Sequence, residues 1–206
     1  MAKDEHIVGD AEIETEDKGL ETPVVSVTIA PRGRCYQLAV RVGEQLARLH
    51  SQDISHRPHL TLQGIYGDAD VALINSLVHG VAAATRPFTV EVFGIGVLVS
   101  PVDPQLLFLH LNVQKSEPLV ELYARLKQDL DAHGLRTYSY SPEEWVPHLT
   151  LASGRWSGEE LKDLLRELNL ETPDCILPVA EVDVNCRGED GNWHSVDRHP
   201  FAPPDE

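Results

Sequence analysis

Two short segments of the chain share the same residue types in the same order. Residues 58–62 and 147–151 each read proline, histidine, leucine, threonine, leucine. Because successive side chains of a β-strand point to opposite faces, the histidine and threonine of each segment share one face and the leucines share the other. A hydroxyl donates a hydrogen bond to an oxygen, and an imidazole donates or accepts a proton. Two such strands facing each other would therefore surround one phosphate-sized anion with two imidazoles and two hydroxyls.

The doubled pattern resembles the signature of the two-histidine (2H) phosphoesterase superfamily. The layout of the chain resembles its 2′-5′ RNA ligase and cyclic phosphodiesterase branch, over residues from about 24 to about 188. One copy of the pattern occurs often by chance, whereas two copies that follow proline in equivalent places of two half-chains are specific. The resemblance implies a metal-independent phosphoesterase without a cofactor, which hydrolyses 2′,3′-cyclic phosphates or related small nucleotide phosphodiesters.

The resemblance also assigns roles to the four motif side chains. His59 and His148 are the expected catalytic acid and base, and Thr61 and Thr150 are expected to bind the substrate phosphate. Imidazole suits both proton-transfer roles because its unperturbed pKa of about 6.5 lies near working pH. In relatives the histidine of the second motif usually acts as the base. The residues of this chain give no independent support for that order.

Residues near the motifs are further candidates for substrate binding. Arg155 and Trp156 follow the second motif and offer a cation and a stacking face, Tyr138 lies in the loop before it, and Arg34 follows the first strand. Surface positions for these side chains are the alternative interpretation. By alternation, the polar face of the first motif continues to Gln63, so the two motif strands are not chemically equivalent.

No metal site is expected. His56 and His59 have a two-residue spacing, but Pro58 interrupts it, so they do not form a helical ligand pair. The remaining histidines have no partner motif and are expected on surfaces or at helix ends: His6, His50, His79, His110, His133, His194 and His199.

The charge of the chain argues against binding to long nucleic acids. Its formal net charge is −16, and residues 1–22 hold eight acidic residues against two lysines. Since nucleic acids are bound largely by neutralising phosphates with lysine and arginine, the expected partner is a small nucleotide or RNA-end phosphoester.

The sequence also predicts the cellular location of the protein. No apolar run approaches the roughly 18 residues that span a bilayer, and the N-terminus lacks a secretory pattern. Three scattered cysteines, Cys35, Cys175 and Cys186, favour reduced thiols. We therefore expect a cytoplasmic monomer with no membrane partner.

Periodicity and turn residues predict an α+β fold. We expect an acidic disordered tail over residues 1–22, a single domain over 23–199 and a C-terminal tail over 200–206. The resemblance implies a bilobal domain, with two mostly antiparallel sheets and flanking helices related by a pseudo-two-fold axis around a central cleft. The first predicted elements are strand 24–30, helix 35–50, strand 59–66 and a helix capped by Asp68 or Asp70. They are followed by paired strands 88–99 and 106–113 and by a helix from Ser116 to Gly134. The last are a strand after Pro147, a helix from Ser157 to about residue 169, and a strand-turn-strand unit over 176–186 and 191–197.

Alternative functions remain open from the sequence. A 2′-5′ RNA ligase-like activity on RNA ends would use the same residues. A non-catalytic nucleotide-binding module would bind a cyclic nucleotide without turnover, and a metal hydrolase would lose its activity to a chelator.

Overall fold

The computed structural model describes residues 23–49, 53–54, 58–100, 103–170 and 174–203. Tail residues 1–22 and the segment with His50 and His56 lie outside this description. The helices are α1 Gly33–Leu49, α2 Val71–Ala83, α3 Glu117–Ala132 and α4 Gly158–Leu170. The strands are β1 Val25–Ile29, β2 Asp53–Ile54, β3 Leu60–Tyr66, β4 Phe88–Val99, β5 Leu107–Val113, β6 Arg136–Thr137, β7 His148–Gly154, β8 Asp174–Val179, β9 Glu181–Arg187 and β10 Trp193–Pro200.

The described strands form one ten-stranded sheet, in the order β10-β9-β1-β3-β7-β5-β4-β8, with β2 and β6 attached to β7 and β3. Every pairing is antiparallel. The two four-stranded halves join through the pair Leu60 and Leu149, where β3 meets β7. The predicted α+β class with antiparallel strands is therefore confirmed, but the strands form one continuous sheet and not the two sheets that were expected. A pseudo-two-fold relation between the halves stays a prediction.

Two of the helices, α1 and α3, link the two halves to each other. Helix α1 follows β1 of one half but packs against β7 and β8 of the other, and α3 follows β5 but packs against β3 and β6. The leucines predicted to face inward on α3 are at most 1% exposed: Leu119, Leu122, Leu126 and Leu130. Because each half is covered by a helix from the other, the apolar core is shared.

Both predicted helix starts with side-chain caps are confirmed. The Asp70 carboxylate accepts hydrogen bonds from the backbone N–H groups of Ala72 and Leu73, in the first turn of α2. Ser157 and Glu160 form a reciprocal capping box at α4, since each side chain accepts from the other residue's backbone N–H. These local signals place the helices where the sequence predicts them.

The prediction of one strand over residues 176–186 is wrong. Ala180 separates β8, at one edge of the sheet, from β9, in the other half. Since one residue spans less than about 4 Å, the sheet curls to bring these strands together. Phe201 packs at this junction, where it is 6% exposed and stacks on Phe88. Ordered packing therefore continues beyond residue 199, where the C-terminal tail was expected to begin.

The expectation that all three cysteines are reduced is wrong for two of them. Cys35 of α1 and Cys175 of β8 form a disulfide, with Cα atoms 5.6 Å apart, and Cys186 is free. The two residues are 140 positions apart in sequence, so only the packing of α1 on β8 reveals the pair. Within the described ranges, no helix has the length and apolar character needed to cross a membrane.

Candidate active site

The junction of the two halves brings the two motifs together. Leu60 of β3 lies opposite Leu149 of β7 in an antiparallel pair. The antiparallel register therefore places His59 opposite Thr150 and Thr61 opposite His148. All four side chains point to the same face of the sheet, which we call the motif face. They form a rectangle with a histidine at each end of one diagonal and a threonine at each end of the other.

The leucines of the motifs anchor this rectangle from the opposite face. Leu60, Leu62, Leu149 and Leu151 are at most 1% exposed, whereas the four polar motif side chains are partly exposed. The predicted division of each motif strand into a core face and a polar face is thus confirmed at these residues.

A β-bulge follows the threonine of each motif. The register of β3 against β1 shifts after Thr61, and Leu62 is the extra residue. The register of β7 against β5 shifts after Thr150, and Leu151 is the extra residue. A bulge places two residues opposite one and so reverses which later residues face the core. Gln63 and Ala152 consequently lie on the core face, at most 1% exposed. The prediction that the polar face continues to Gln63 is wrong for this reason.

His148 is arranged to present an unprotonated nitrogen to the motif face. Its Nδ1 lies 2.8 Å from the carbonyl oxygen of Val146, so Nδ1–H donates there and the lone pair remains on Nε2. Burial lowers the pKa of His148 below its ordinary value, the hydrogen bond to Val146 opposes that shift, and the charge of nearby His59 adds to it. His148 is therefore suited to accept a proton at neutral pH.

A third histidine lies beside the motifs. On β5, His110 is opposite Thr150 and Asn112 is opposite His148, so both side chains belong to the motif face. The ring centroids of His110 and His148 are 5.1 Å apart. Burial, followed by the charge of His148, lowers the pKa of His110. The stretch His110-Leu111-Asn112 repeats the histidine–apolar–polar alternation of the motifs, which is the signal that could have revealed it.

A glycine makes room for this third histidine. Gly96 of β4 is opposite His110. A Cβ at this position would lie 2.6 Å from His110 Nε2 and 2.7 Å from Asn112 Oδ1. These distances are far below the roughly 3.5–4.0 Å of ordinary carbon contacts. The two β5 side chains therefore depend on the missing side chain of Gly96.

The prediction that the remaining histidines lie on surfaces or at helix ends is wrong for two of them. His110 is 3% exposed and His199 is 5% exposed. His199 lies 3.1 Å from the side-chain oxygen of Asn75 and packs against the ring of His79. His79 and His194 are exposed, and His133 follows α3, as predicted.

Tyr138 lies beside the first motif strand. Its ring covers Gly64, where a Cβ would come within 2.6 Å of it, and it packs edge-on against Tyr66. The register of β1 and β3 places Gly64 on the motif face, beyond Thr61. Burial, followed by the charges of neighbouring tyrosines, raises the pKa of Tyr138 to about 12, so its phenol keeps its proton and can donate a hydrogen bond.

Three other predicted binding residues lie outside the two motif strands. Arg155 follows the far end of β7, and its guanidinium pairs with Asp103 at 2.6 Å. Trp156 is 9% exposed and belongs to the core, so it offers no open stacking face. Arg34 is exposed in the first turn of α1. A role of these three residues in substrate binding stays a prediction.

A groove adjoins the second motif. It has a volume of about 480 Å³ and contains Asn112 together with Val146 and Pro147, the two residues before His148. Phe93 of β4 forms part of its wall and is 48% exposed.

Within the described residues, no group of three or more His, Cys, Asp or Glu side chains is placed to hold a metal ion. The chemistry that this site offers is proton transfer and hydrogen bonding to an anion.

Comparison with known families identifies the class of protein. Residues 36–191 match the model of the 2′-5′ RNA ligase superfamily, which spans both motifs. The chain therefore belongs to this superfamily of two-histidine phosphoesterases, and the resemblance seen in the sequence is confirmed. No curated protein matches the chain by sequence.

Solved structures share the fold at low sequence identity. TT0787 of Thermus thermophilus has a TM-score of 0.63 at 15% identity, covering 88% of this chain and 100% of its own. E. coli LigT complexed with 3′-AMP has a TM-score of 0.59 at 14% identity, and the match covers 88% of this chain and 99% of the LigT chain. Kluyveromyces marxianus Usb1 has a TM-score of 0.50 at 11% identity, and the match covers 88% of this chain and 99% of the Usb1 chain. Similarity at this level establishes the fold.

Proposed function

We propose that this protein is a metal-independent phosphoesterase that hydrolyses 2′,3′-cyclic phosphates of small nucleotides by acid–base catalysis with two histidines. The observation that supports this most strongly is the register of β3 and β7, which opposes Leu60 and Leu149. In that register two imidazoles and two hydroxyls share one stretch of the motif face, which supports their binding to one phosphate. Simple anion binding would not require two titratable groups.

The surroundings of His148 support an assignment of roles. Its lowered pKa and its Nδ1–H bond to Val146 leave Nε2 free to take a proton from water at neutral pH. His59 would then give a proton to the ribose oxygen that leaves the phosphorus. Thr61 and Thr150 would donate hydrogen bonds to the non-bridging oxygens, where negative charge increases in the transition state.

The similar structures support a nucleotide-sized substrate. E. coli LigT has been crystallised with 3′-AMP, ATP, NADP+ and phosphate. This chain has a formal net charge of −16, which is unfavourable for long polyanions. A small phosphoester held at one polar cluster is compatible with both observations.

The experiment is a substrate panel followed by phosphorus NMR. The panel contains 2′,3′-cyclic nucleotides, RNA with a cyclic phosphate end, and 2′-5′-linked oligonucleotides, each with and without EDTA. We expect hydrolysis of the cyclic nucleotides to one monophosphate isomer, unaffected by EDTA. The NMR spectrum reports which ribose oxygen is released.

Each other outcome identifies a different function. Saturable binding of cyclic nucleotides without turnover would favour a non-catalytic module. Turnover restricted to RNA ends would favour the ligase-like activity, and loss of activity in EDTA would favour a metal hydrolase.

A further inference from the structure

Four side chains lie in a row across the motif face. His148 of β7 is opposite Asn112 of β5, and Asn112 is opposite Phe93 of β4. On the other side of His148, the antiparallel register set by Leu60 and Leu149 places Thr61 of β3. Residues opposite one another in paired strands present their side chains on the same face. The row therefore leads from the proposed phosphate site directly to the groove.

A β-bulge in β4 places Phe93 on this face. Gly96 and Phe93 are three residues apart, so simple alternation would put them on opposite faces of the sheet. The register shifts between Phe93 and Ile95, and the extra residue, Gly94, has a φ of 57°. Ile95 faces the core at 8% exposure, while Phe93 is 48% exposed beside the groove. The aromatic ring thus lies in line with the motif residues.

The distance along the row matches one nucleoside. Neighbouring strands are about 4.8 Å apart, so two strand spacings separate His148 from Phe93 by roughly 10 Å. A nucleotide extends over a comparable span from its phosphorus across the ribose to the base. Asn112 lies between them, with an amide that can both donate and accept hydrogen bonds to ribose hydroxyls.

The lining of the groove favours an uncharged planar group. Phe93 and Val146 are 48% and 50% exposed and present apolar surface to it. Glu143 and Lys115 line the same groove, and the Lys115 ammonium donates to the backbone carbonyl of Glu143 at 2.6 Å. A planar base would stack on these apolar walls. The volume of about 480 Å³ lies within the range of roughly 300–1,000 Å³ typical of ligand pockets.

We infer that this groove is the nucleobase subsite of the enzyme, with Phe93 as the stacking surface and Asn112 as the contact to the ribose. The inference rests on the proposed function for the position of the phosphate. It goes further by stating that the protein selects nucleotides over cyclic phosphates that lack a base.

The test compares two substrates that contain the same reacting group. Adenosine 2′,3′-cyclic phosphate carries a base, and glycerol 1,2-cyclic phosphate does not. Phe93→Ala should lower the ratio of their kcat/KM values about 10-fold, because stacking of one base contributes on the order of 1–3 kcal/mol. Phe93→Trp should keep the ratio high. Tyr36→Ala is the matched control: Tyr36 is 45% exposed on α1, and its removal should leave the ratio unchanged.

A binding measurement separates this inference from the proposed function. Titration calorimetry with adenosine 3′-monophosphate should show about 10-fold weaker binding to Phe93→Ala than to the wild type. If the wild type hydrolyses no cyclic phosphate but Phe93→Ala weakens this binding, the proposed function is wrong and the subsite stands. If cyclic nucleotides are hydrolysed and Phe93→Ala changes neither the ratio nor the binding, the subsite is refuted. An equal loss on both substrates would also refute it.

Discussion

Gly96 offers a sharp test of how the motif face is built. A Cβ at Gly96 would lie 2.6 Å from His110 Nε2 and 2.7 Å from Asn112 Oδ1. Restoring ordinary contacts of about 3.5 Å requires a movement of roughly 1 Å. The His110 ring cannot move freely, because the His148 ring is 5.1 Å away. Gly96→Ala should therefore displace side chains next to the proposed base.

The expected effects of Gly96→Ala follow from overpacking. Inserting a methyl group into a packed site typically costs about 1–3 kcal/mol in the free energy of unfolding. In a chain of this size that lowers Tm by about 2–4 °C for each kcal/mol. A misplacement of about 1 Å near reacting groups can reduce the rate about 10²-fold. We expect kcat/KM for a cyclic nucleotide to fall about 10-fold to 10²-fold in a folded protein.

The matched control is Gly80→Ala. Gly80 is exposed within α2, and a Cβ there meets no atom within 4 Å. Because alanine is favoured over glycine inside helices by about 0.5–1 kcal/mol, this substitution should raise Tm slightly and leave activity unchanged. Scanning calorimetry and steady-state kinetics measure both variants. Full activity and unchanged Tm for Gly96→Ala would refute the packing described for the motif face.

Three further predictions follow from the site and the fold. The pKa of His148 is lowered, so its neutral form persists to lower pH, and the acidic limb of the pH profile of kcat/KM should lie below about pH 6.5. An acidic limb above that pH would contradict the role of His148 as the base. Thr61→Val and Thr150→Val should each reduce kcat about 10-fold to 10³-fold with the circular dichroism spectrum unchanged, since each removes one donor and no proton carrier; retention of full kcat by both would exclude the hydroxyls from catalysis. Replacing Cys35 and Cys175 together by serine should lower the free energy of unfolding by about 2–4 kcal/mol in urea titrations, because the disulfide joins residues 140 positions apart; equal stability would show that the pair is not bonded in solution.

Local patterns in the sequence were sufficient to predict the motif strands and most of the helices. The alternation in each motif predicted which side chains face the core, and the leucine spacing of α3 predicted its buried face. Cap residues such as Asp70 and Ser157 fixed helix starts because their hydrogen bonds involve only neighbouring residues. These features depend on interactions a few positions apart.

Features set by long-range pairing were not predictable in the same way. The bulges at Leu62 and Leu151 exist only in register with partner strands, so Gln63 was assigned to the wrong face. His110 was missed because its place beside His148 depends on the pairing of β5 with β7. The disulfide likewise depends on α1 crossing to the other half of the sheet.

The most direct test of the two-histidine account is the turnover of a 2′,3′-cyclic nucleotide by His59→Ala and His148→Ala, with thermal unfolding measured in parallel. Each variant should lose about 10²-fold or more in kcat while its Tm stays near that of the wild type, because the leucines opposite hold both strands. The double variant should be little worse than the weaker single variant, since residues that act as a unit are not additive. Near-full activity in both single variants would contradict the account.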